Sequence, residues 1–265
     1  YPRAMARTAA ALVIGNEILS GKVQEANVLS LARELRALGV ELRRVTVVPD
    51  EIELIAAEVN ALRGRYDFLF TSGGVGPTHD DVTVEGVARA LGRRVVRHPH
   101  VESLLRNWYG ERCTEGHLRM ADVVEGTELF DGSNPQWPTM VLGNVFILPG
   151  IPEIFRYKLE GLRERLRGSD PSFVLRSVYS SADEGALKPL IDRVVERFPN
   201  VSVGSYPRWQ DPAYSVRVTF DGRDEAQGGD GADAEDEGFV DGERFGEFFK
   251  LAGQGGDFDD GFHDR

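Results

Sequence analysis

The stretch Thr71–Thr83, TSGGVGPTHDDVT, places bare glycines beside acidic side chains. It follows the apolar run Phe68–Phe70 and precedes a helical pattern over residues 84–91, so it predicts a strand, a tight glycine turn and a helix start. Such a turn suits an anion, because glycines let backbone amides approach a phosphate and a helix N-terminus adds partial positive charge. Asp80 and Asp81 would repel that phosphate unless a divalent cation lies between them. The pair therefore predicts phosphate together with metal.

The same stretch also has a purely structural interpretation. A Gly-Gly turn after a strand is often only a connection, and an acid before a helix is often only a cap. The pattern alone leaves both interpretations open, since short glycine motifs also occur by chance. It is neither the Gly-x-Gly-x-x-Gly of dinucleotide folds nor a Walker loop, because no Lys follows its glycines.

Length and composition predict a folded protein of one large domain or two small ones, with 265 residues of which 41% are hydrophobic. The single cysteine, Cys113, has no intrachain partner for a disulfide. No apolar run approaches the roughly 20 residues that span a bilayer. Residues 1–10 lack the apolar core of a signal peptide. These features predict a cytoplasmic protein.

The acidic charge is concentrated at the end of the chain. Residues 223–265 hold 14 acidic and 4 basic side chains, a net charge of −10, which leaves −2 for the rest of a chain whose total is −12. The body has no basic stripe, and the acidic end would repel polyanions. We therefore expect neither nucleic acid nor membrane as a partner.

Residues 8–168 alternate between strand-like and helix-like segments, which is typical of a mostly parallel sheet covered by helices on both faces. We predict an α/β fold of three layers, α/β/α. Ligands bind beyond the carboxyl ends of the strands in such sheets. Four loops are predicted at that edge: Gly15–Gln24, Pro49–Asp50, Ser72–Asp81 and Pro149–Pro152.

The individual elements follow from apolar periodicity. Strands are predicted over Ala9–Ile14, Leu42–Val48, Phe68–Phe70, an edge-like Val95–Val96, and Asn144–Leu148. Five helices are predicted. The first is capped by Asn27, the second follows Pro49–Asp50 and has Ile52 facing inward, and the third runs from the glycine turn to Leu91. The fourth is the polar region Val101–Met120, and the fifth begins at Pro152 and has Ile154 facing inward.

The pattern changes after Gly168. Residues 169–222 predict a small α+β domain of three strands and one helix, Asp183–Phe198, with Val195 among its inward residues. The domain boundary is expected near Pro171. Residues 223–265 are rich in glycine and acid, with too few apolar residues to offset chain ordering, and we predict that they are largely disordered.

Four carboxylates are predicted to meet at the ligand edge. Asp50 either caps a helix or points into the crevice, and Glu17 is either a solvated loop residue or part of the site. If both join Asp80 and Asp81 there, the four charges require a cation. Oxygen ligands suit Mg²⁺.

Other reactive side chains have simpler interpretations. Ser72, His79 and Asp80 are the residue types of a hydrolytic triad, but they lie in one short loop, whereas a triad needs a spatial relay. His98 and His100 lack a Cys or a third His to complete a zinc site, so we expect surface residues.

Two tryptophans lie in proline-containing loops. Trp137 and Trp209 are each expected to be packing anchors rather than base-stacking platforms. Trp209 is also a candidate for contact with adenine or flavin.

Several motifs together resemble the molybdopterin-binding-like domain family, which includes competence-damage-inducible A proteins and the N-terminal half of eukaryotic-type FAD synthases. The resemblance covers Ala9 to about Phe220. Its motifs are Gly15–Gly21, Asn27, Ser72–Thr83 and Leu148–Glu153, with Ala182–Glu184 and Gly204–Trp209 closest to the FAD synthase branch.

The chain departs from that family at some positions. Asn16 stands where the family commonly has Asp, and Gln136–Thr139 replaces the Gly-x-Ala-Pro-Gly of bacterial members. The chain carries neither an amidase half nor an adenylyl-transferring half, so deamidation and FAD synthesis are not expected of it. The segment after Gly222 also departs from the family.

The resemblance implies a pyrophosphatase that hydrolyses nucleotides such as FAD or ADP-ribose to AMP and a second monophosphate, with Mg²⁺, Mn²⁺ or Co²⁺. It aligns Asp81 and the Pro49–Asp50 pair with functionally required positions. The residues predicted to bind phosphate are Ser72, Gly73, Gly74, Gly76 and Thr78, and those predicted to bind the metal are Asp50, Asp80 and Asp81. The predicted catalytic residues are Asp81, Asp50 and Glu17. The rest of the pocket is predicted to contain Asn27, Thr83, Pro149 and Gly150.

Two alternatives stay open for the function. One is a non-catalytic carrier of molybdopterin or a nucleotide, which would retain ligand without forming AMP. The other is adenylyl transfer to molybdopterin in molybdenum cofactor biosynthesis. All three functions predict a small-molecule nucleotide or pterin ligand. Because related domains associate, the resemblance also implies a homo-oligomer.

Overall fold

The fold is described from a computed structural model, which covers residues 7–132, 137–167, 173–209 and 213–223. The chain divides into two compact units, Tyr1–Asp170 and Pro171–Arg265. The predicted boundary at Pro171, the departure at Gln136 and the predicted disorder of residues 224–265 lie outside the described residues. Within those residues, no helix has both the length and the apolar character to cross a bilayer. The predicted cytoplasmic location stays a prediction.

The first unit is built on a six-stranded sheet. Its strands are β1 Thr8–Ile14, β2 Glu41–Val48, β3 Phe68–Ser72, β6 Glu128–Phe130, β7 Thr139–Leu142 and β8 Val145–Leu148, in the spatial order β2-β1-β3-β8-β7-β6. The first four strands of that order are parallel, and β7 and β6 are antiparallel additions. A separate antiparallel pair joins β4 Val95–Arg97 to β5 Asp122–Val124.

Helices cover both faces of this sheet. The helices of the unit are α1 Asn16–Leu19, α2 Asn27–Ala37, α3 Ile52–Arg63, α4 Thr83–Leu91, α5 Pro99–Tyr109, α6 Glu115–Leu118, α7 Pro152–Gly161 and α8 Arg163–Leu166. One core lies between the sheet and α3 with α4, and the other between the sheet and α2, α7 and α8. The predicted three-layer, mostly parallel α/β/α fold is confirmed.

Strand β1 is central because its side chains are apolar on both faces. Residues 9–14 are at most 2% exposed, as expected of a parallel strand with helices on both sides. Its neighbour β3 alternates accordingly: Leu69 belongs to the α3 and α4 core, and Phe70 to the α2 and α7 core. The same alternation turns Ser72 toward the α2 and α7 side.

Some element predictions were wrong. Strands β5, β6 and β7 were not predicted, because three or four residues carry too little periodicity to be recognised. Val95–Val96 was expected at an edge of the main sheet, but it pairs with β5 outside that sheet. The polar helical region Val101–Met120 is instead two helices with short 3-10 turns at Gly110–Arg112 and Arg119–Ala121.

Two residues predicted to face inward are exposed. Ile52 is 37% exposed and Ile154 is 41% exposed. Each lies in the first turn of its helix, α3 or α7, where the chain has only just left the sheet edge. Apolar spacing identified the helical face, but the helix covers the core only from Ile55 and Phe155 onward.

One buried cation braces the loop before β7. Lys158 on α7 donates hydrogen bonds from Nζ to the carbonyl oxygens of Trp137 and Pro138, at 2.9 and 2.7 Å. Burial lowers the pKa of Lys158 to about 8. Trp137 packs edge-on to Trp108 and joins a small cluster around Leu105, so it is the packing anchor that the sequence predicts.

The second unit is a small α+β domain. Its elements are β9 Phe173–Ser180, α9 Glu184–Arg197, β10 Ser202–Pro207 and β11 Val216–Arg223, with the antiparallel order β10-β11-β9. Its core contains Leu187 and Val194 of α9 and Val216, Val218 and Phe220 of β11. Val195 was predicted inward but is 49% exposed, because it follows Val194 and therefore faces away from the sheet.

Candidate functional site

The carboxyl ends of four parallel strands meet at one edge of the main sheet. Ile14 pairs with Val48, and Ser72 pairs with both Val13 and Leu148. The loops after β1, β2, β3 and β8 therefore start side by side. These are the four loops that the sequence predicts at the ligand edge.

The loop after β3 can form only with glycine at two positions. Gly73 has φ +105° and Gly74 has φ +63°, values that L side chains rarely adopt. A Cβ on Gly73 would lie 2.2 Å from the carbonyl oxygen of Ile14, and one on Gly74 would lie 2.4 Å from Thr83 Oγ1. The loop thus passes directly over the end of β1.

The amides of this loop have different partners. The Gly73 amide donates to Leu148 O at 3.2 Å, so it continues the β3–β8 ladder and is not available to a phosphate. This corrects the predicted role of Gly73. The amides of Gly74, Val75 and Gly76 donate to no acceptor among the residues that the structure describes. Three consecutive amides are therefore free for an anion, and Val75 was not predicted among them.

Asp81 folds back onto its own loop. Its Oδ2 accepts from the Thr78 amide at 2.8 Å and from the Thr78 hydroxyl, and a Cβ on Gly76 would lie 2.6 Å from the same oxygen. The Thr78 amide is thus occupied, which corrects its predicted use for phosphate. Asp81 Oδ1 keeps its capacity to bind a ligand, and the carboxylate is half-buried.

Arg119 holds this turn from outside. Its Nη1 donates to Thr78 O at 2.9 Å, and its Nη2 lies 3.6 Å from Glu85 Oε1 in the first turn of α4. The guanidinium thus links the tip of the glycine loop to the helix that follows it. The residue was not predicted, because it lies 41 positions from Thr78 within the region taken as a polar helix.

Asp80 and His79 point toward solvent. Their side chains are 58% and 96% exposed, and Asp80 Oδ1 lies 3.9 Å from His79 Nδ1. Hydrogen bonding from the Thr78 side chain, followed by its own backbone amide, lowers the pKa of the Asp80 carboxyl. Asp80 is therefore ionised at neutral pH but is not gathered into the crevice.

The loops after β1 and β2 are tied together by Asp50. Its Oδ2 accepts the Asn16 amide at 2.7 Å, and the Gly15 amide donates to Val48 O at 3.1 Å. Asp50 therefore does not cap α3, the helix that it precedes and whose start has no side-chain cap; it holds the start of α1 instead. Glu17 is exposed and its carboxylate lies against Gly15, where an added Cβ would meet Oε1 at 2.5 Å.

Asn27, at the start of α2, joins the loops after β3 and β8. Its Nδ2 donates to Ser72 Oγ at 2.9 Å and to Gly150 O at 2.8 Å. Ser72 is 6% exposed and directed at Asn27 rather than at His79, so the residue types of a triad do not form a relay. Gly150 packs on Gly73, since an added Cβ at Gly150 would lie 3.3 Å from Gly73 Cα.

The remaining predicted pocket residues support the glycine loop. Thr83 is fully buried, its hydroxyl donates to Gly73 O at 2.8 Å and its amide to Gly74 O at 3.0 Å. Pro149 is half-buried and directly follows Leu148 at the end of β8. Asn27 does not cap α2 as predicted: the Glu25 carboxylate does so, accepting the amides of Asn27 and Val28.

The predicted metal ligands do not form a protein-only cage. Within the described residues, no three His, Cys, Asp or Glu side chains come together as a potential metal set. Asp50 binds the Asn16 amide, Asp81 binds Thr78, and Asp80 faces solvent. Mg²⁺, however, is commonly held by one or two carboxylates with substrate phosphates and waters. The residues therefore fit a cation that arrives with a phosphate ligand, and not a resident three-ligand site.

The protein therefore belongs to the class of three-layer α/β domains that carry a glycine loop suited to anion binding at the carboxyl ends of their parallel strands. Comparison with known proteins gives the particular family. The chain belongs to the family described as "Probable molybdopterin binding domain", which matches residues 10–167. Residues 172–234 match the family described as "FAD synthase, middle domain".

Two relatives show how much of the chain is shared. A protein of Archaeoglobus fulgidus is 33% identical over 211 residues, which cover 80% of this chain and 89% of that protein. A "Probable FAD synthase" of Caenorhabditis elegans is 30% identical over 242 residues, 81% of this chain. The match covers only 46% of that FAD synthase, so the chain corresponds to about half of it.

A solved structure shares the fold over a large part of the chain. The crystal structure of a protein CinA with unknown function from Thermoplasma acidophilum is similar with a TM-score of 0.56 at 28% identity. The similarity covers 61% of this chain and all of that chain. The predicted family resemblance is confirmed by these matches.

Proposed function

We propose that this chain hydrolyses the diphosphate of a nucleotide such as FAD or ADP-ribose, giving AMP and a second monophosphate with the help of a divalent cation. The proposal is supported by membership of a probable molybdopterin binding family and by similarity to proteins named FAD synthase, which point to a nucleotide- or pterin-related ligand. In the reaction, water adds its oxygen to one phosphorus, the P–O–P bond breaks, and the other phosphate leaves with the bridging oxygen.

The observation that carries the proposal is the set of free amides beside a carboxylate. Gly74, Val75 and Gly76 have no acceptor among the described residues, and Asp81 lies against Gly76. Such consecutive amides stabilise phosphate oxygens without needing to reorient during the reaction. A carboxylate at the same place would oppose the anion unless it shares a cation with it.

We assign the cation to the substrate, as a metal–diphosphate complex. Mg²⁺, Mn²⁺ or Co²⁺ would supply charge neutralisation and activation of water. Asp81 would contact the complex through Oδ1, since Oδ2 is held by Thr78. Asp50 and Asp80 are secondary candidates, because one is held by the Asn16 amide and the other is solvated.

The other residues of the edge position these groups. Thr78 and Arg119 fix the Asp81 carboxylate, and Thr83 fixes the turn that presents the free amides. Glu17, exposed beside Gly15, is the candidate to orient the attacking water by accepting its proton. Asp50 holds the Asn16 loop that carries Glu17.

The direct test is an assay of AMP formation. Purified protein is incubated with FAD or ADP-ribose and each of Mg²⁺, Mn²⁺ and Co²⁺, and the products are separated by chromatography. We expect AMP with the parent and at least about a hundredfold less with Asp81→Asn, the scale at which removal of one electrostatic catalytic group acts. Asp192→Asn, which makes the same substitution at an exposed ion pair with Lys188 on α9, serves as the charge-matched control. Equal rates for Asp81→Asn and the parent would contradict the assignment.

A carrier function is the second candidate, favoured by the description of the matching family as probably molybdopterin-binding. The same amides would then hold the phosphate of a pterin without cleavage. Ligand retained with no AMP formed under any of the three metals would support this candidate and contradict hydrolysis. Formation of an adenylylated molybdopterin together with pyrophosphate, only when both molybdopterin and ATP are present, would instead indicate adenylyl transfer.

A further inference from the structure

Asn27 is a buried polar residue that the proposed hydrolysis leaves unexplained. It is 5% exposed and is the first residue of α2. Its side chain has no role in starting that helix, because the carboxylate of Glu25 accepts the first amides. The amide group is therefore free for another task.

The orientation of this amide is fixed by its partners. A backbone carbonyl can only accept, so the Asn27 atom that lies 2.8 Å from Gly150 O must be the NH₂ group. The same nitrogen lies 2.9 Å from Ser72 Oγ and uses its second hydrogen there. Both amide hydrogens are thus consumed, and Oδ1 is the atom left over.

Asn27 Oδ1 is buried and has no donor among the described residues. Ser72 Oγ, which receives a hydrogen from Asn27, keeps its own hydrogen, and no described residue accepts it. An unmade hydrogen bond of a buried group destabilises the fold, and such groups are rare in folded proteins. Asn27 Oδ1 and the Ser72 hydroxyl hydrogen, on two side chains joined by one hydrogen bond of 2.9 Å, are therefore both left without partners among the described residues.

The location of this pair connects it with the crevice. Ser72 ends β3 and directly precedes the glycine loop, Gly150 lies in the loop after β8, and Asn27 begins α2. Gly150 also packs on Gly73. The pair is thus adjacent to the proposed diphosphate site, on the α2 and α7 side of the sheet.

We propose that Asn27 Oδ1 and the Ser72 hydroxyl bind one sugar hydroxyl of the nucleotide, on the ribose of its AMP half. A hydroxyl donates one hydrogen and accepts another, so it satisfies both leftover groups at once. The inference rests on the proposed function, because it takes the adjacent loop to hold the diphosphate. It adds that the site discriminates against a nucleotide that lacks this one ribose hydroxyl.

The test compares binding of AMP, 2′-deoxy-AMP and 3′-deoxy-AMP by isothermal titration calorimetry. AMP is the proposed product, so its binding does not depend on turnover. For the parent chain we expect one deoxy analogue to bind about tenfold more weakly, which corresponds to about 1.4 kcal/mol for a lost hydrogen bond. For Asn27→Ala we expect AMP and that analogue to bind within twofold of each other, because the hydroxyl has lost its partner.

Two further variants separate ligand binding from bracing. Asn144→Ala removes a similar amide, whose Nδ2 bridges the carbonyls of Arg63 and Tyr66 at 2.8 and 3.0 Å before β8, at the opposite edge of the sheet. It should lower stability but keep the tenfold discrimination. Ser72→Ala, which makes the smaller change, should reduce the discrimination even if Asn27→Ala fails to fold.

The outcomes distinguish this inference from the proposed function. If the parent binds AMP and both deoxy analogues equally, the inference is overturned, whether or not AMP is formed from ADP-ribose. If Asn27→Ala and Ser72→Ala lose stability but keep the parent's discrimination, the amide is only a brace and the inference is also overturned. Failure to release AMP from any dinucleotide, with the discrimination intact, contradicts hydrolysis alone.

Discussion

At the scale of single residues, the glycine loop assigns different tasks to adjacent positions. Gly73 continues the sheet with its amide and passes over Ile14 O, whereas Gly74 and Gly76 keep free amides. The sequence predicted that all three would bind phosphate, because a glycine run does not reveal which amide the neighbouring strand uses. That depends on the register in which Ser72 pairs with Leu148.

Gly73→Ala should strongly destabilise the first unit. The variant combines φ +105° with a Cβ 2.2 Å from a backbone oxygen, so we expect a loss of about 3 kcal/mol or more in the free energy of unfolding. The matched control is Gly143→Ala, where φ is +61° and nothing lies within 4 Å of the added Cβ. That change should cost about 1 kcal/mol. Denaturant unfolding measures both, and equal losses would contradict the close approach.

At the scale of elements, the short 3-10 turn Arg119–Ala121 supports the loop between β3 and α4. Arg119 reaches Thr78 O, and Thr78 in turn holds Asp81. Contacts between segments so distant in sequence carry no local signal, which is why this support was not predicted. The strands and helices of the α/β core could be predicted, since each has apolar periodicity, whereas β5–β7 acquire their structure from their neighbours.

Arg119→Ala should lower the kcat of the proposed reaction about tenfold and change KM less, because the variant loosens Asp81 but does not remove it. A tenfold loss corresponds to one lost hydrogen bond from a charged group. Arg119→Lys should recover part of the rate. Arg89→Ala is the control. Arg89 lies on the exposed face of α4, and its Nε is 3.2 Å from Glu53 Oε1 on α3. Steady-state kinetics test this expectation, and an Arg119→Ala enzyme with parental kcat would refute it.

Lys158 should make stability depend on pH in the alkaline range. Burial lowers its pKa from 10.5 to about 8 in the folded protein, so between these values the unfolded chain binds more protons than the folded one. The contribution of this residue to stability therefore rises as pH increases from 8 to 10.5. Comparing the free energy of unfolding of the parent and Lys158→Met across this range isolates the effect. As pH rises from 8 to 10.5, the free energy of unfolding of the parent should increase relative to that of Lys158→Met. A difference that stays constant over this range would contradict a buried, desolvated ammonium.

At the scale of the whole molecule, every residue assigned to the crevice belongs to the first unit. Alternation of strands and helices predicted this, because parallel strands bring the loops after β1, β2, β3 and β8 to one edge. The metal set was harder to predict. Acids in converging loops need not converge as side chains, and here Asp50 and Asp81 are turned toward backbone amides while Asp80 faces solvent.

The groups that would contact the ligand could not be predicted from the sequence. The free amides and the Asn27 pair depend on which hydrogen bonds the fold has already used, and that can be counted only when the loops are in place. The motifs Gly15–Gly21 and Ser72–Thr83 located the crevice. They did not reveal that the polar side chain of Asn27 contacts Ser72 at the crevice instead of capping α2.

Both proposals require that the amides of residues 74–76 bind the phosphates of a nucleotide. Titration of the ¹⁵N-labelled full chain with ADP and Mg²⁺, followed by NMR of the backbone amides, tests this binding. We expect the amide signals of Gly74, Val75 and Gly76 to shift with a common saturation curve, while that of Gly143 stays in place. Saturable binding that leaves all three signals unmoved would contradict it.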